Sequence, residues 1–168
     1  MLSEPKIETL PAQHYAAIRA RIPMREMPSL PPLWGEVFGW LASKGIEPAG
    51  APFWNYRVVD MENTMEIDVG VPVAAPVIGN ERMIADVLPA GQYVTALYTG
   101  NVMDDGLMRA TGDLLEWARK NGVVWDKWQS GATGEGWKAR VEFYLTNPDD
   151  EPDLDKWETE LAFKTADS

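Results

Sequence analysis

The chain has no cysteine and a single histidine, His14, among its 168 residues. Without thiols there are no disulfides and no thiolate metal ligands, and one imidazole argues against a zinc site or a histidine-based triad. No apolar run approaches the ~20 residues needed to cross a bilayer. The opening MLSEPKIETLP is neither basic nor apolar enough for a secretory signal, so the sequence reads as cytoplasmic. Positive charge is also scarce. Lys and Arg number 15 against 26 Asp and Glu, a formal charge of −11, and the excess is larger in residues 80–168 than in 1–79. Such a field repels phosphate backbones, and there is no basic stripe or helix-turn-helix pattern, so neither direct nucleic-acid binding nor a membrane partner is expected. GATGEG lacks the Lys-Ser/Thr ending of a phosphate loop.

Tryptophan, by contrast, is abundant. Eight indoles are more than a core of this size requires, and an indole suits a surface that grips something flat.

Two stretches of the chain resemble each other. IETLPAQHYAAIRA and IADVLPAGQYVTALYT align Leu10, Pro11, Ala12 and Tyr15 with Leu88, Pro89, Ala90 and Tyr93. Downstream, VFGWLASKGI aligns with LLEWARKNGV at nearly the same offset, matching Trp40 to Trp117 and Gly45 to Gly122. Two matched blocks in the same order point to a tandem duplication, with repeats of about 1–79 and 80–168 fused into one domain.

Each repeat reads as ββαββ. Strands are expected at roughly 6–10 and 14–21, then 82–88 and 92–100, each pair meeting at a Leu-Pro-Ala turn. In PSLPPLWGEVFGWLASKG, Ser29 is placed to cap a helix whose apolar stripe is Trp34, Val37, Phe38 and Leu41, with Gly45 as its stop. In MDDGLMRATGDLLEWARKNG the cap is Asp104 or Asp105, the stripe is Leu107, Leu114, Trp117 and Ala118, and Gly122 is the stop. FWNYRVVD and MEIDVGVPV, then KARVEFYL and KWETELAFKT, supply the remaining strands. Met65, Ile67 and Val69 alternate with Glu66 and Asp68, as in a half-buried strand. The expected fold is α+β: duplicated βαββ modules related by a pseudo-twofold, helices on one face of an antiparallel sheet, and a ligand cleft between the repeats.

The candidate site lies in KARVEFYLTNPDD. Val141, Phe143 and Leu145 alternate with Glu142 and Tyr144, so the carboxylate and the phenol share one strand face. Aligning FWNY with VEFY pairs Tyr56 with Tyr144 and Trp54 with Glu142. Three aromatics around one carboxylate describe a cleft better than a water-facing surface. Ionised, Glu142 would attract a cation that the rings also hold, each ring contact contributing about 0.5–2 kcal/mol. Desolvated, it would instead be a general base that activates water, with Tyr56 or Tyr144 donating to a developing oxyanion. Trp34 could close the cleft from the first helix. Trp137 belongs to the glycine-rich DKWQSGATGEGWKA, which reads as a Trp-bearing flap. Met24 and Met27 could form an adaptable rim, while Trp40 and Trp117 read as matched packing residues.

LPAGQYVTALYTG, VEFYLTNP and KWETELAFKT resemble the GyrI-like family, the small-molecule-binding domain also fused to AraC-type and MerR-type multidrug regulators. The resemblance covers nearly the whole chain. It implies an aromatic cleft for lipophilic, often cationic, compounds, a ligand-meeting glutamate at Glu142, and no metal or organic cofactor. Branches of the family are similar to free-standing sensors, to hydrolases that open the cyclopropane of DNA-alkylating compounds, and to a gyrase inhibitor. The expected function is therefore that of a stand-alone binder of lipophilic, aromatic or cationic small molecules, anchored by Glu142. The alternatives are a cyclopropanoid hydrolase with Glu142 as base and a gyrase-binding module with a protein partner.

Overall fold

The computed structural model describes residues 1–166. The strands and α-helices run β1 (Lys6–Leu10), β2 (Gln13–Ile22), α1 (Pro32–Ser43), β3 (Phe53–Val59), β4 (Met65–Pro72), β5 (Ile84–Leu88) and β6 (Gly91–Thr99). They continue with α2 (Gly106–Lys120), β7 (Lys127–Ser130), β8 (Gly134–Trp137), β9 (Arg140–Tyr144) and β10 (Glu158–Lys164). This is an α+β fold on one antiparallel sheet, ordered β1-β6-β10-β9-β3-β4-β2-β5, with the β7–β8 hairpin attached to β3. Although β1 and β2 meet at a Leu-Pro-Ala turn, they do not pair. Instead β1 pairs with β6, and β5 pairs with β2. Each half of the chain thereby supplies the outer strand beside the other half, and the central contact is β3 against β9.

Alternation decides which cluster each side chain joins. From β4, Met65, Ile67 and Val69 enter a cluster with Leu114 of α2 and Val94 and Phe163 of β6 and β10. Val71 packs with Ala16, Ile18, Val37 and Leu41, which seats α1 on β2 and β4. The other side of the sheet is not left to solvent, as a half-buried β4 would leave it. Tyr15, Phe53, Tyr93, Val141 and Ala162 form a second apolar cluster there. Asp68 is consequently 0% exposed. It survives burial because Tyr15 Oη donates to Oδ2 at 2.6 Å and Arg19 Nε donates to Oδ1 at 2.7 Å. Arg19 also reaches Asp86 of β5 at 3.2 Å, tying that borrowed strand to β2.

Two helix expectations change. Ser29 caps no α-helix: its hydroxyl donates to the Glu26 carbonyl at the end of a short 3-10 segment, Met24–Ser29. The helix begins later because Pro31 and Pro32 have φ pre-set for a first turn and lose no hydrogen bond there. Phe38 points outward, and Val37 and Leu41 are the buried members of the stripe. At the start of α2, Asp104 Oδ1 accepts from the Gly106 N–H at 2.8 Å. Gly45 and Gly122 follow the two helices at φ 69° and 70°, a conformation that costs glycine nothing.

Gly70 of β4 lies directly opposite Phe53 of β3. A methyl group added to Gly70 would fall 2.6 Å from the Phe53 ring, which is fully buried. Gly70→Ala is therefore expected to lower unfolding stability by about 1–3 kcal/mol. Denaturant titration checks this, and an unchanged midpoint would show that β3 and β4 can separate at no cost.

Candidate functional site

Strands β3 and β9 form the centre of the sheet through three register pairs, Phe53 with Phe143, Trp54 with Glu142 and Asn55 with Val141. Phe53, Val141 and Phe143 belong to the Tyr15 cluster, so Trp54, Tyr56, Glu142 and Tyr144 share the opposite face. The β3–β4 register shifts between Tyr56 and Val58, and beyond that point β3 pairs with β8 instead of β9. Such an irregularity re-aims side chains, and here it follows Tyr56.

Glu142 is 7% exposed. Tyr144 Oη donates to its Oε1 at 2.5 Å and Tyr56 Oη donates to the same oxygen at 3.1 Å. Burial raises the proton affinity of the carboxyl above the ordinary carboxylate range. The two phenol hydrogen bonds and the attraction of Arg140 oppose that rise without cancelling it. Burial and the neighbouring Glu142 charge push both phenols well above their usual range, so they remain donors.

Aromatic rings frame this centre. Trp34 stacks on Trp54 with centroids 5.6 Å apart and 23° between planes. Tyr144 meets Trp34 edge-on at 5.3 Å and Trp54 at 5.7 Å. Trp54 also meets Tyr56 at 6.5 Å. Trp34 arrives from the first turn of α1 and is held by its indole N–H, which donates to the Phe53 carbonyl at 3.3 Å. Met24 and Met27 pack against the same cluster from the 3-10 segment. The structure thus brings together Trp34, Trp54, Tyr56, Glu142 and Tyr144.

Trp137 is placed differently. The glycine-rich stretch is the β7–β8 hairpin rather than a loose flap, because β8 pairs with both β7 and β3. Trp137 is 3% exposed and packs on Trp125 and Phe163. It approaches the site through Arg140, a residue that pattern reading overlooked. Arg140 precedes Glu142 by two positions, and its guanidinium lies 4.9 Å from the rings of Trp137 and Phe163 and 5.9 Å from that of Tyr56. The spacing in RVEFY was the available signal, since residues two apart on a strand share a face.

The rings pack on one another, and two concavities lie elsewhere. One, of about 760 Å³, lies between Trp40, Ile46 and residues 74–80. The other, about 200 Å³, lies near Tyr93, Phe143 and Glu160. Among the described residues no group of three or more His, Asp or Glu side chains is arranged to hold a metal ion. No helix among the described residues is long and apolar enough to cross a membrane.

An antiparallel α+β sheet of this kind is shared by the C-terminal domain of EcmrR, with TM-score 0.69, 18% identity and 98% of each chain covered. The chain belongs to the family of GyrI-like small molecule binding domains, which it matches over residues 3–164. EcmrR in its DNA complex superposes with TM-score 0.74 at 20% identity, over 98% of this chain and 58% of that one, so this chain spans under two thirds of that protein. SAV2435 bound to tetraphenylphosphonium superposes with TM-score 0.60 at 9% identity, covering 98% of this chain and 94% of that one. A hydrolase from Listeria innocua does so with TM-score 0.56 at 11% identity, covering 97% and 92%. At these identities the likeness is one of fold. A sequence comparison with curated proteins found no match.

The raised proton affinity of Glu142 has a pH consequence. Between the ordinary carboxyl value of 4.5 and the raised folded value, the folded state binds more protons than the unfolded chain. The Glu142 contribution to stability is therefore fully present below pH ~4.5 and is lost as pH rises through the folded value. Glu142→Gln is expected to be more stable than wild type at pH 7, with the difference shrinking towards pH 4. Denaturant titrations across pH check this, and a pH-independent difference would mean that Glu142 titrates as if exposed.

Proposed function

We propose that this chain binds lipophilic aromatic compounds, cations included, on the face formed by Trp34, Trp54, Tyr56 and Tyr144, with Glu142 as the polar anchor. On this reading repeats of about 1–79 and 80–168 are related by an approximate twofold between β3 and β9. The strand order supports it, reading the same from either end when β1, β2, β3 and β4 are exchanged for β5, β6, β9 and β10. The carrying observation is the buried carboxylate that accepts two phenol hydroxyls beneath stacked indoles. A fold-only structural role would be met more cheaply by an apolar side chain, because burying a carboxylate costs several kcal/mol. The Trp34–Trp54 stack occupies the space a flat ligand would take. A ligand therefore enters by replacing one indole against the other, a low-cost exchange of one ring contact for another.

Titration of a panel of aromatic compounds, tetraphenylphosphonium among them, should quench tryptophan fluorescence and leave ligand mass unchanged. Trp34→Ala should weaken binding about 2–30-fold, the loss of one ring contact of roughly 0.5–2 kcal/mol. Glu142→Gln should weaken it as well. Quenching that survives both substitutions would place the ligand elsewhere.

A second reading is favoured by one observation. Glu142 has its proton affinity raised by burial, which strengthens it as a general base, and two phenols beside it can donate to a developing oxyanion. With no nucleophile or metal invoked, such a base suits addition of water to a strained cyclopropane. On this reading a cyclopropane-bearing compound gains the mass of one water with wild type and not with Glu142→Gln. An unchanged mass after long incubation with wild type would rule the hydrolase out.

A further inference from the structure

Among the described residues, the fully buried polar side-chain atoms of the site that lack a partner are donors. The indole Nε1–H of Trp54 is buried with no acceptor among the described residues, as is that of Trp137 beside Arg140. The Arg140 guanidinium makes no hydrogen bond or ion pair with the described residues, and Glu135, the acidic side chain of the adjacent hairpin, is engaged by Lys127 at 2.6 Å. Of the Glu142 oxygens, Oε1 is already taken by two tyrosine hydroxyls, and Oε2, which is not among the buried unpaired atoms, is left to solvent or ligand. Such a site is completed by a ligand that brings an acceptor, because a buried donor left without one is costly.

The charge distribution points the same way. Aromatic faces hold ligand cations when a cation-sized space lies above them. Here the faces of Tyr56, which bonds the carboxylate, and of Trp137 and Phe163 beyond it already surround the guanidinium of Arg140. Arg140 stands directly across the β9–β10 pair from Phe163 and two residues from Glu142 on the same strand face, so its position is set by the sheet. Its charge offsets that of Glu142, to which it is attracted. A permanent cation entering the site would meet this resident cation, and would satisfy none of the open donors.

We infer that Arg140 is a specificity-determining residue, and that the Glu142 site selects uncharged lipophilic compounds with a strong hydrogen-bond-accepting oxygen over permanent lipophilic cations. The inference rests on the small-molecule-binding reading above and narrows its ligand class. The oxygen is recognised by the Arg140 guanidinium and the Trp54 N–H, while the apolar rings of the ligand pack on Trp34 and Trp54. The same preference suits the hydrolase reading, in which a carbonyl-bearing electrophile would present its oxygen to these donors.

A matched pair of probes tests this: tetraphenylphosphonium, a permanent cation, and triphenylphosphine oxide, of similar bulk but neutral with one strongly accepting oxygen. Affinities are read from tryptophan quenching and calorimetry on the full chain. Wild type should bind the oxide at least tenfold more tightly than the cation. Arg140→Met should reverse the order, weakening the oxide tenfold or more and strengthening the cation. Arg140→Lys, which keeps the charge and guards against loss of fold, should retain discrimination against the cation. A wild type that binds the cation as tightly as the oxide overturns the inference. So does a folded Arg140→Met in which both affinities change alike. If both probes respond to Glu142→Gln while their ratio ignores Arg140, this inference alone fails. If neither probe binds, or neither responds to Glu142→Gln, the binding reading fails and takes this inference with it.

Discussion

A carboxylate buried under two tyrosine hydroxyls is the constraint around which the centre of this fold is arranged. A charge at that depth is tolerated only where donors converge on it, and hydrogen bonds to a charged group contribute about 1.5–3 kcal/mol each. Tyr144 supplies one from the same strand and Tyr56 the other from its neighbour. For both hydroxyls to reach one oxygen, β3 and β9 must pair in the register that sets Trp54 against Glu142. That register in turn turns Phe53, Val141 and Phe143 to the other side of the sheet. The polar centre and the second apolar cluster are therefore two consequences of one strand alignment.

The remainder of the molecule holds that alignment in place. Each outer strand lies beside a strand from the other half of the chain, so the two halves cannot separate without breaking the sheet at both ends. On the side away from Glu142, Asp68 joins Tyr15 and Arg19, and Arg19 joins Asp86, a second buried polar assembly whose members satisfy one another. The contrast between the two assemblies is instructive. Around Asp68 the charges meet in direct contact, whereas near Glu142 the Arg140 guanidinium is held by ring faces, and the indole N–H groups of Trp54 and Trp137 find no acceptor among the described residues. Fully paired polar groups stabilise a core. Partly paired ones at an aromatic face are what a ligand can complete.

Much of this was legible in the sequence, and the limits have physical causes. The period-two alternation located the main strands to within a few residues, and Gly45 and Gly122 marked the ends of both helices because the left-handed turn there suits glycine. Alignment of FWNY with VEFY singled out Trp54, Tyr56, Glu142 and Tyr144, which the sheet does bring together. Pairing partners were not legible: a Leu-Pro-Ala turn suggests that β1 and β2 are neighbours, yet β1 pairs with β6 and β2 with β4 and β5. Ser29 looked like a cap because its spacing is right, but the prolines after it delay the helix. The glycine-rich stretch read as a flap because its glycines suggest mobility. In fact Gly136 sits where the Trp128 ring leaves no room for a side chain, inside a paired hairpin. Arg140 was overlooked because a strand arginine ordinarily points to water; the RVEFY spacing puts it on the face of Glu142, and the three surrounding rings show that it stays there.

The central claim is that ligands bind at the indole stack above Glu142 and not in the larger concavity beside Trp40. A crystal structure with 4-bromobenzophenone addresses it directly, since bromine gives an unambiguous anomalous signal. The account predicts the bromine and its rings against Trp34 or Trp54, with those two indoles parted and the ketone oxygen facing Arg140. Bromine found between Trp40 and residues 74–80, with the Trp34–Trp54 stack intact, would contradict it.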